Sequence, residues 1–290
     1  MTPSITLATC RPLPSLTASD AVLRSALAAR GADVTVAPWE EIDSAGTAGL
    51  VCPRSTWNYH RHWPEFRRWL ESFSDRPGAL WNPLETLRWN ADKHYLRELE
   101  SAGIALPLTS WFEPGERPDA GAFLRWGGVP RVVLKPRISG TGYSTHVMEA
   151  GTRLSDEEWR PLEEVGSLLQ AFVPEIADGE VSLIFVDGEF SHAVHKLPAA
   201  GEFRVHVEHG GRVERFTTDS RLRAFADRVL AAVSHPWIYA RVDTVRTAHG
   251  PVLMELEMLE PELFFTEAPA AAERMADALM LRASELAHRV

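Results

Sequence analysis

Three acidic residues near the C-terminus hold the most chemistry. Tyr239-Ala-Arg-Val-Asp243 and Val252-Leu-Met-Glu-Leu-Glu257 are apolar runs with acids at alternating positions. Glu255 and Glu257 are two apart, so on a strand their side chains share a face. The short stretch Thr247-Ala-His-Gly250 between the runs predicts a hairpin, which brings Asp243 to the same face. Three carboxylates together repel one another unless a cation neutralises them. An all-oxygen set suits a hard ion such as Mg²⁺, and Mn²⁺ accepts the same ligands. Magnesium held by a few carboxylates usually completes its shell with substrate phosphates, which points to a nucleotide.

Several cations could meet those phosphates. Lys135 ends the strand-like run Val132-Val-Leu-Lys-Pro136, where its ammonium can reach a phosphate. Taken alone, a solvent-facing lysine explains it more simply. Ser139-Gly140-Thr141-Gly142-Tyr143-Ser144 follows, and its glycines let backbone N–H groups approach phosphate oxygens. It fits neither the P-loop nor the dinucleotide fingerprint, and in isolation it is a hairpin. Lysine strand and glycine loop together raise the odds of a phosphate cradle. Gln170-Ala-Phe172-Val173 and the following Glu180 suit a hinge beside an adenine, with an acid for ribose hydroxyls; a plain strand and an exposed acid explain them equally well. Arg204 and Arg241 sit among apolar residues. Each either pairs with an acid or stabilises developing negative charge. Lys196 is a further candidate cation. The histidines form no zinc pattern, and no Gly-x-Ser-x-Gly elbow is present.

These residues need strands and loops to hold them. Residues 5–9, 33–37 and 50–52 read as strands, with a helix from Asp20 to Arg30 stopped by Gly31. That pattern predicts a small parallel α/β unit reaching about residue 90, with an amphipathic helix over 61–73. Beyond it, helices are predicted over 92–102, 119–126 and 155–165, the last with Ser155 and Glu158 as a capping box. Strands are predicted over 131–136 and 144–148. From Leu168 the pattern turns strongly β, with strands over 168–173, 180–186, 189–194, 203–207 and 213–216. A helix over 219–233, the two acidic strands and a last helix over 267–288 complete the chain. No repeat or low-complexity segment is visible.

The bulk numbers agree with a globular enzyme. The 290 residues are 45% hydrophobic and 24% charged, ordinary for a soluble chain with a large core. A net charge of −10 argues against nucleic acid and acidic membranes as partners. Cys10 and Cys52 lie near strand ends and read as buried thiols, with Cys10 as a nucleophile the lesser alternative. No signal peptide or membrane-length run is visible, so a cytoplasmic enzyme is expected. The ten Trp read as core rather than as a base-stacking platform.

Taken in order, Lys93, Lys135-Pro136, residues 139–144, Gln170 to Val173, Glu180, Arg204, Arg241-Val-Asp243 and Glu255-Leu-Glu257 resemble the ATP-grasp superfamily. The glutathione synthetases, D-alanine–D-alanine ligases and RimK-type ligases are the general relatives. The likeness runs over roughly residues 80–265. It implies an α/β (α+β) ATP-grasp fold with a pre-ATP-grasp α/β domain over 1–90 and an ATP-grasp domain over 91–290. The latter divides into a lid over about 104–170 and a catalytic subdomain over about 171–290. It also implies that Lys93 and Lys135 bind ATP phosphates under the flap Ser139, Gly140, Thr141 and Gly142. Gln170, Phe172 and Val173 take the adenine, and Glu180 takes the ribose. Asp243, Glu255 and Glu257 take the metal, where the third ligand is commonly Asn in the family. Arg241 stabilises the transferred phosphoryl group, and Arg204 lies near the acceptor.

The implied reaction is an ATP-dependent carboxylate–amine ligation through an acyl phosphate on a small amino-acid-like substrate. Ser55-Thr-Trp-Asn-Tyr59, Arg88 to Lys93, Phe190 to Lys196 and Glu255 to Glu262 further resemble the branch of cyclo-ligases that closes O-ureido-serine in D-cycloserine biosynthesis. There Ser55, Thr56, Tyr59, His195 and Arg204 would line the substrate site. An intermolecular amino-acid ligase, an ATP-grasp kinase and a nucleotide-binding module without turnover are the alternatives. Homodimers are frequent among such ligases, and no apolar patch for one is readable here.

Overall fold

A computed structural model describes residues 2–47, 49–199, 201–202, 204–205 and 210–288. The chain opens with β1 (Ser4–Thr9), β2 (Asp33–Pro38) and β3 (Leu50–Pro53), a parallel sheet in the order β2-β1-β3. The apolar run of β1 is buried almost throughout, as a parallel strand covered by helices must be. α1 (Ala18–Ala29) begins where the Thr17 hydroxyl accepts a hydrogen bond from the Asp20 amide at 3.0 Å. Gly31, at φ +79°, ends the helical stretch. α2 (Trp63–Glu71), α3 (Leu84–Ala91) and α4 (Tyr95–Ser101) lead out of this unit.

An antiparallel sheet follows, formed by β4 (Thr109–Phe112), β5 (Val132–Pro136), β6 (His146–Met148) and β7 (Ser167–Ala171) in the order β4-β7-β5-β6. α5 (Ala120–Gly127) and α6 (Asp156–Val165) cover one of its faces. Phe123, Leu124, Trp159 and Leu162 pack there against Val132, Leu134 and Leu169. Side chains alternate along a strand, so Val133, Lys135 and Gln170 are left on the opposite face. The Ser155–Glu158 capping box is formed as the sequence predicts.

The second antiparallel sheet has the order β10-β9-β8-β11-β12. Its strands are β8 (Glu180–Val186), β9 (Glu189–Leu197), β10 (Arg212–Phe216), β11 (Tyr239–Thr247) and β12 (Gly250–Glu257). α7 (Ser220–Ala231) covers one face, and α8 (Pro269–Ala287) packs on α1. One core cluster joins Ile5, Leu7 and Leu27 of the first unit to Ile184, Val186 and Tyr239 of this sheet and to Met275 and Leu279 of α8. No helix among the described residues is long and apolar enough to cross a membrane.

Two elements escape the sequence reading. α3 has neither a side-chain cap nor a strong polar–apolar contrast. β4 is a four-residue edge strand whose residues are all half-buried. The helix predicted over 92–102 begins later, at Tyr95, which leaves Lys93 in the bend between two helices. Of the strand predicted over 203–207, positions 203, 206 and 207 lie outside the described residues, and Arg204 and Val205 are not in a strand.

Candidate active site

A cavity of about 410 Å³ lies between the β5–β7 face and the β8–β12 sheet, with the loop after β3 at one end. The β11–β12 hairpin forms its floor. Asp243 pairs with Glu255 and Arg241 with Glu257, and a bulge follows Asp243. Cross-strand partners share a face, so these four side chains point together into the cavity. Buried amides fix the end of β12. The Asn90 side chain donates to Leu256 O at 2.8 Å and accepts from Met258 N at 2.6 Å. The Asn82 side chain donates to Tyr239 O at 2.9 Å and Met258 O at 2.7 Å, and accepts from Ile238 N at 2.7 Å.

Charge in the cavity is tightly paired. Arg241 Nη2 contacts Asp243 Oδ2 at 2.9 Å and also bonds Glu257. Lys196 Nζ lies 2.5 Å from Glu180 and 3.1 Å from Asp243, and Ser182 donates to Asp243 at 2.5 Å. Burial alone would raise the Asp243 carboxyl, but Arg241 and Lys196 override it and hold it well below the ordinary range. Lys93 Nζ lies 2.9 Å from Glu255 and donates to Ser139 O at 2.8 Å. Against the cost of burial, Lys93 and Lys135 keep Glu255 low as well. Burial lowers Lys135, which donates to Gln170 Oε1 at 3.3 Å.

Two acids behave differently. Burial, with Glu255 and Asp243 adding their repulsion against the pull of Arg241, pushes Glu257 up to about 8. Burial likewise pushes Glu260 up to about 7, against Lys93 and Arg241. The cavity therefore holds more negative charge than its lysines and arginines neutralise comfortably. That donor set fits a divalent cation. Among the described residues no three acids, histidines or cysteines converge as a finished cage. Mg²⁺ does not need one, since waters and phosphate oxygens fill most of its shell.

The glycine loop closes the cavity from above. Ser139, Gly140, Thr141 and Gly142 line it, with Thr141 and Gly142 at φ +51° and +70°. The loop rests on the first unit. The Tyr59 hydroxyl donates to Ser139 O at 3.2 Å, the His60 ring lies 4.9 Å from Tyr143, and the Arg61 guanidinium stands 4.9 Å over the Tyr143 ring. Gln170, Phe172, Val173 and Glu180 line one wall, and Phe172 lies beneath the Arg131 guanidinium.

Most of the expected site residues reach this cavity, including Arg204, which also pairs with Glu202 at 2.7 Å. Three expected substrate contacts do not. Ser55 and Thr56 are fully buried and lie outside the lining, which Trp57 and Tyr59 form instead. His195 alternates with Lys196 along β9 and so faces the other side, where it meets Glu214 at 3.8 Å and Phe216. Trp57, Asn90, Glu260 and Glu262 also line the cavity; each lies in a stretch that carries the family resemblance, but the sequence points to no individual role for them. The Glu-Pro-Glu run after β12 is the one sequence signal for the last two, but strand alternation ends at Glu257 and does not reach them. Cys10 and Cys52 are buried free thiols, and burial pushes Cys52 up to about 12, which leaves both unsuited to nucleophilic chemistry.

The class of protein is defined by comparison. Residues 126–250 match the ATP-grasp domain of prokaryotic glutathione synthetase. The crystal structure of a RimK-domain ATP-grasp protein from Sphaerobacter thermophilus superposes with a TM-score of 0.66 at 19% identity, covering 94% of this chain and 98% of that one. The fold is thus that of an ATP-grasp ligase.

Finer likeness comes from three further matches. Residues 5–82 match the N-terminal domain of D-cycloserine synthetase. The cycloserine biosynthesis protein DcsG of Streptomyces lavendulae is 31% identical over 280 residues, which is 87% of this chain and 89% of that protein. The crystal structure of D-cycloserine synthetase superposes with a TM-score of 0.81 at 28% identity, covering 96% of this chain and 99% of that one. The chain belongs to the ATP-grasp ligases of the glutathione synthetase and RimK type, in the branch that contains D-cycloserine synthetase. It is an ATP-dependent carbon–nitrogen ligase.

Proposed function

We propose that this ligase activates the carboxylate of O-ureido-D-serine and closes a carbon–nitrogen bond onto it within the same molecule, on the way to D-cycloserine. The observation that carries this reading is the match of residues 5–82 to the N-terminal domain of D-cycloserine synthetase. That unit supplies Trp57 and Tyr59 to the cavity, at the end where an acceptor would lie. We divide the chain into this unit, over 1–90, and an ATP-grasp domain over 91–290. A cytoplasmic location, where ATP is at hand, goes with the reading.

The chemistry follows from charge placement. Lys93 and Lys135 hold the phosphates, with Ser139 to Gly142 closing over them. Gln170, Phe172 and Val173 take the base, and Glu180 the ribose. Asp243, Glu255 and Glu257 hold a divalent cation, best Mg²⁺, which when bound screens the phosphate oxygens. The substrate carboxylate bonds to the γ-phosphorus as the bond to the bridging oxygen breaks and ADP leaves. The substrate nitrogen then bonds to the acyl carbon and loses its proton, and phosphate leaves with the electron pair of the broken C–O bond. Water then removes the carbamoyl group as carbamate. Arg241, aimed into the cavity, stabilises the oxyanion, and Arg204 lies on the acceptor side. Lys196 steadies Asp243. Closure of the glycine loop keeps water from the acyl phosphate.

The test is to incubate the full chain with ATP, Mg²⁺ and a panel of small amino acids that includes O-ureido-D-serine. ADP, phosphate and a cyclic product from O-ureido-D-serine alone are expected. A peptide product from two amino acids would assign the chain to the intermolecular RimK or glutathione synthetase chemistry. ATP binding with no amino-acid-dependent ADP release would reject a ligase of this substrate class.

A further inference from the structure

The acids of the cavity differ in how they are satisfied. Glu180, Asp243, Glu255 and Glu257 each contact a lysine or arginine. Glu262 Oε1 accepts from Phe264 N at 2.7 Å. Glu260 is nine-tenths buried, at 9% exposure, and lines the cavity. Among the described residues its carboxylate oxygens have no hydrogen-bond or ion-pair partner, although its main chain is clamped. Trp57 Nε1 donates to Glu260 O at 3.0 Å, and Arg54 Nη2 donates to Pro261 O at 2.8 Å. Its carboxylate is thus left open to the cavity, where an N–H donor group that enters can satisfy it.

Its position selects the visitor. Glu260 lies three residues beyond Glu257, and its main chain is tied to Trp57, which lines the cavity beside Tyr59. Phosphate and carboxylate groups are anions and are disfavoured beside it. An N–H donor group is favoured.

We propose that the Glu260 carboxylate receives the nitrogen end of the amino-acid substrate, as a specificity-determining acceptor for ammonium or ureido N–H groups. This rests on the amino-acid ligase reading above. It goes further in naming the group that reads the substrate nitrogen.

The experiment is steady-state kinetics of the full chain and its Glu260→Gln variant, with O-ureido-D-serine, ATP and Mg²⁺ each varied in turn. The KM for O-ureido-D-serine is expected to rise at least tenfold, while the KM for ATP and the Mg²⁺ dependence stay within twofold and the unfolding temperature is unchanged. Glu260→Asp should recover part of the loss. Inhibition by D-serine, which has the ammonium but not the ureido group, separates the two donors. It weakens in Glu260→Gln if the ammonium is held and is unaltered if the ureido group is. An unchanged substrate KM, or a Mg²⁺ dependence that shifts as far as the substrate KM, overturns the assignment; the latter places the carboxylate on the metal. If the unsubstituted chain turns over a different amino acid from the panel, the substrate named above fails alone, and the same comparison is made with that amino acid. If no amino acid supports turnover, both fail.

Discussion

Glu255 and Arg241 are the side chains whose pairing must change when nucleotide enters. Glu255 is committed to Lys93, and both are expected to turn toward the nucleotide, the lysine to a phosphate and the acid to the metal. Glu255→Gln removes the charge without changing shape. Turnover with ATP and Mg²⁺ should fall about 100-fold or more, since a metal ligand contributes several kcal/mol to phosphoryl transfer, while the unfolding temperature moves little. Rates measured at limiting Mg²⁺ check this, and near-normal values there would remove Glu255 from the metal. Arg241→Lys trades a planar fork for a point charge, and the fork spans Asp243 and Glu257. The expected result is a kcat loss well beyond any change in the KM for ATP. Equal losses in both would take Arg241 away from the oxyanion.

At the level of elements, the glycine loop and the end of β12 are held by contrasting means. The loop leans on rings. A Cβ on Gly140 would meet His60 Nδ1 at 3.3 Å, so Gly140→Ala should loosen closure and raise the KM for ATP several-fold with little change in unfolding temperature. Titration of ATP into both proteins checks this. The end of β12 is held by Asn90 through Leu256 and Met258, and Asn90→Ala strands buried backbone groups. A stability loss of about 1–3 kcal/mol is expected in denaturant unfolding. The strands of the acidic hairpin were legible in the sequence because their apolar alternation is local, and so was the capped helix at Ser155. The substrate wall was legible only in part: Tyr59 and Arg204 line the cavity as expected, but the other three expected residues do not. Ser55 and Thr56 have the right chemistry but are packed beneath the surface, and His195 is one position out of phase with Lys196. Glu260 sits past the end of the strand, where no period applies. Such placements depend on how separate elements dock, which no short window of sequence encodes.

For the molecule as a whole, two buried histidines couple stability to acid. Burial lowers His60 to about 4, with Arg61 and Lys93 adding to it, and burial lowers His192 to about 4. The folded values lie below the ordinary value of about 6.5, so between these limits the unfolded chain binds more protons. Stability is full above pH about 6.5 and falls toward pH about 4, each histidine withdrawing up to about 3 kcal/mol. His192→Asn should flatten part of that slope in unfolding curves taken across this range, and an unchanged slope would refute the assignment. Bound ligand acts in the opposite sense. ATP with Mg²⁺ at 100 times its Kd should add about 2.7 kcal/mol, and chelation of the metal with EDTA should remove most of it. The saturated carboxamide of Asn82, with its N–H groups and oxygen all engaged by the main chain of 238–239 and 258, stitches the opening parallel sheet to the catalytic one. An aspartate there would present oxygen to the carbonyls of Tyr239 and Met258, turning the seam into a repulsive one. A chain severed near residue 90 would accordingly yield two fragments that each lack a wall, and hybrid ligases made by exchanging front halves must carry this seam across intact.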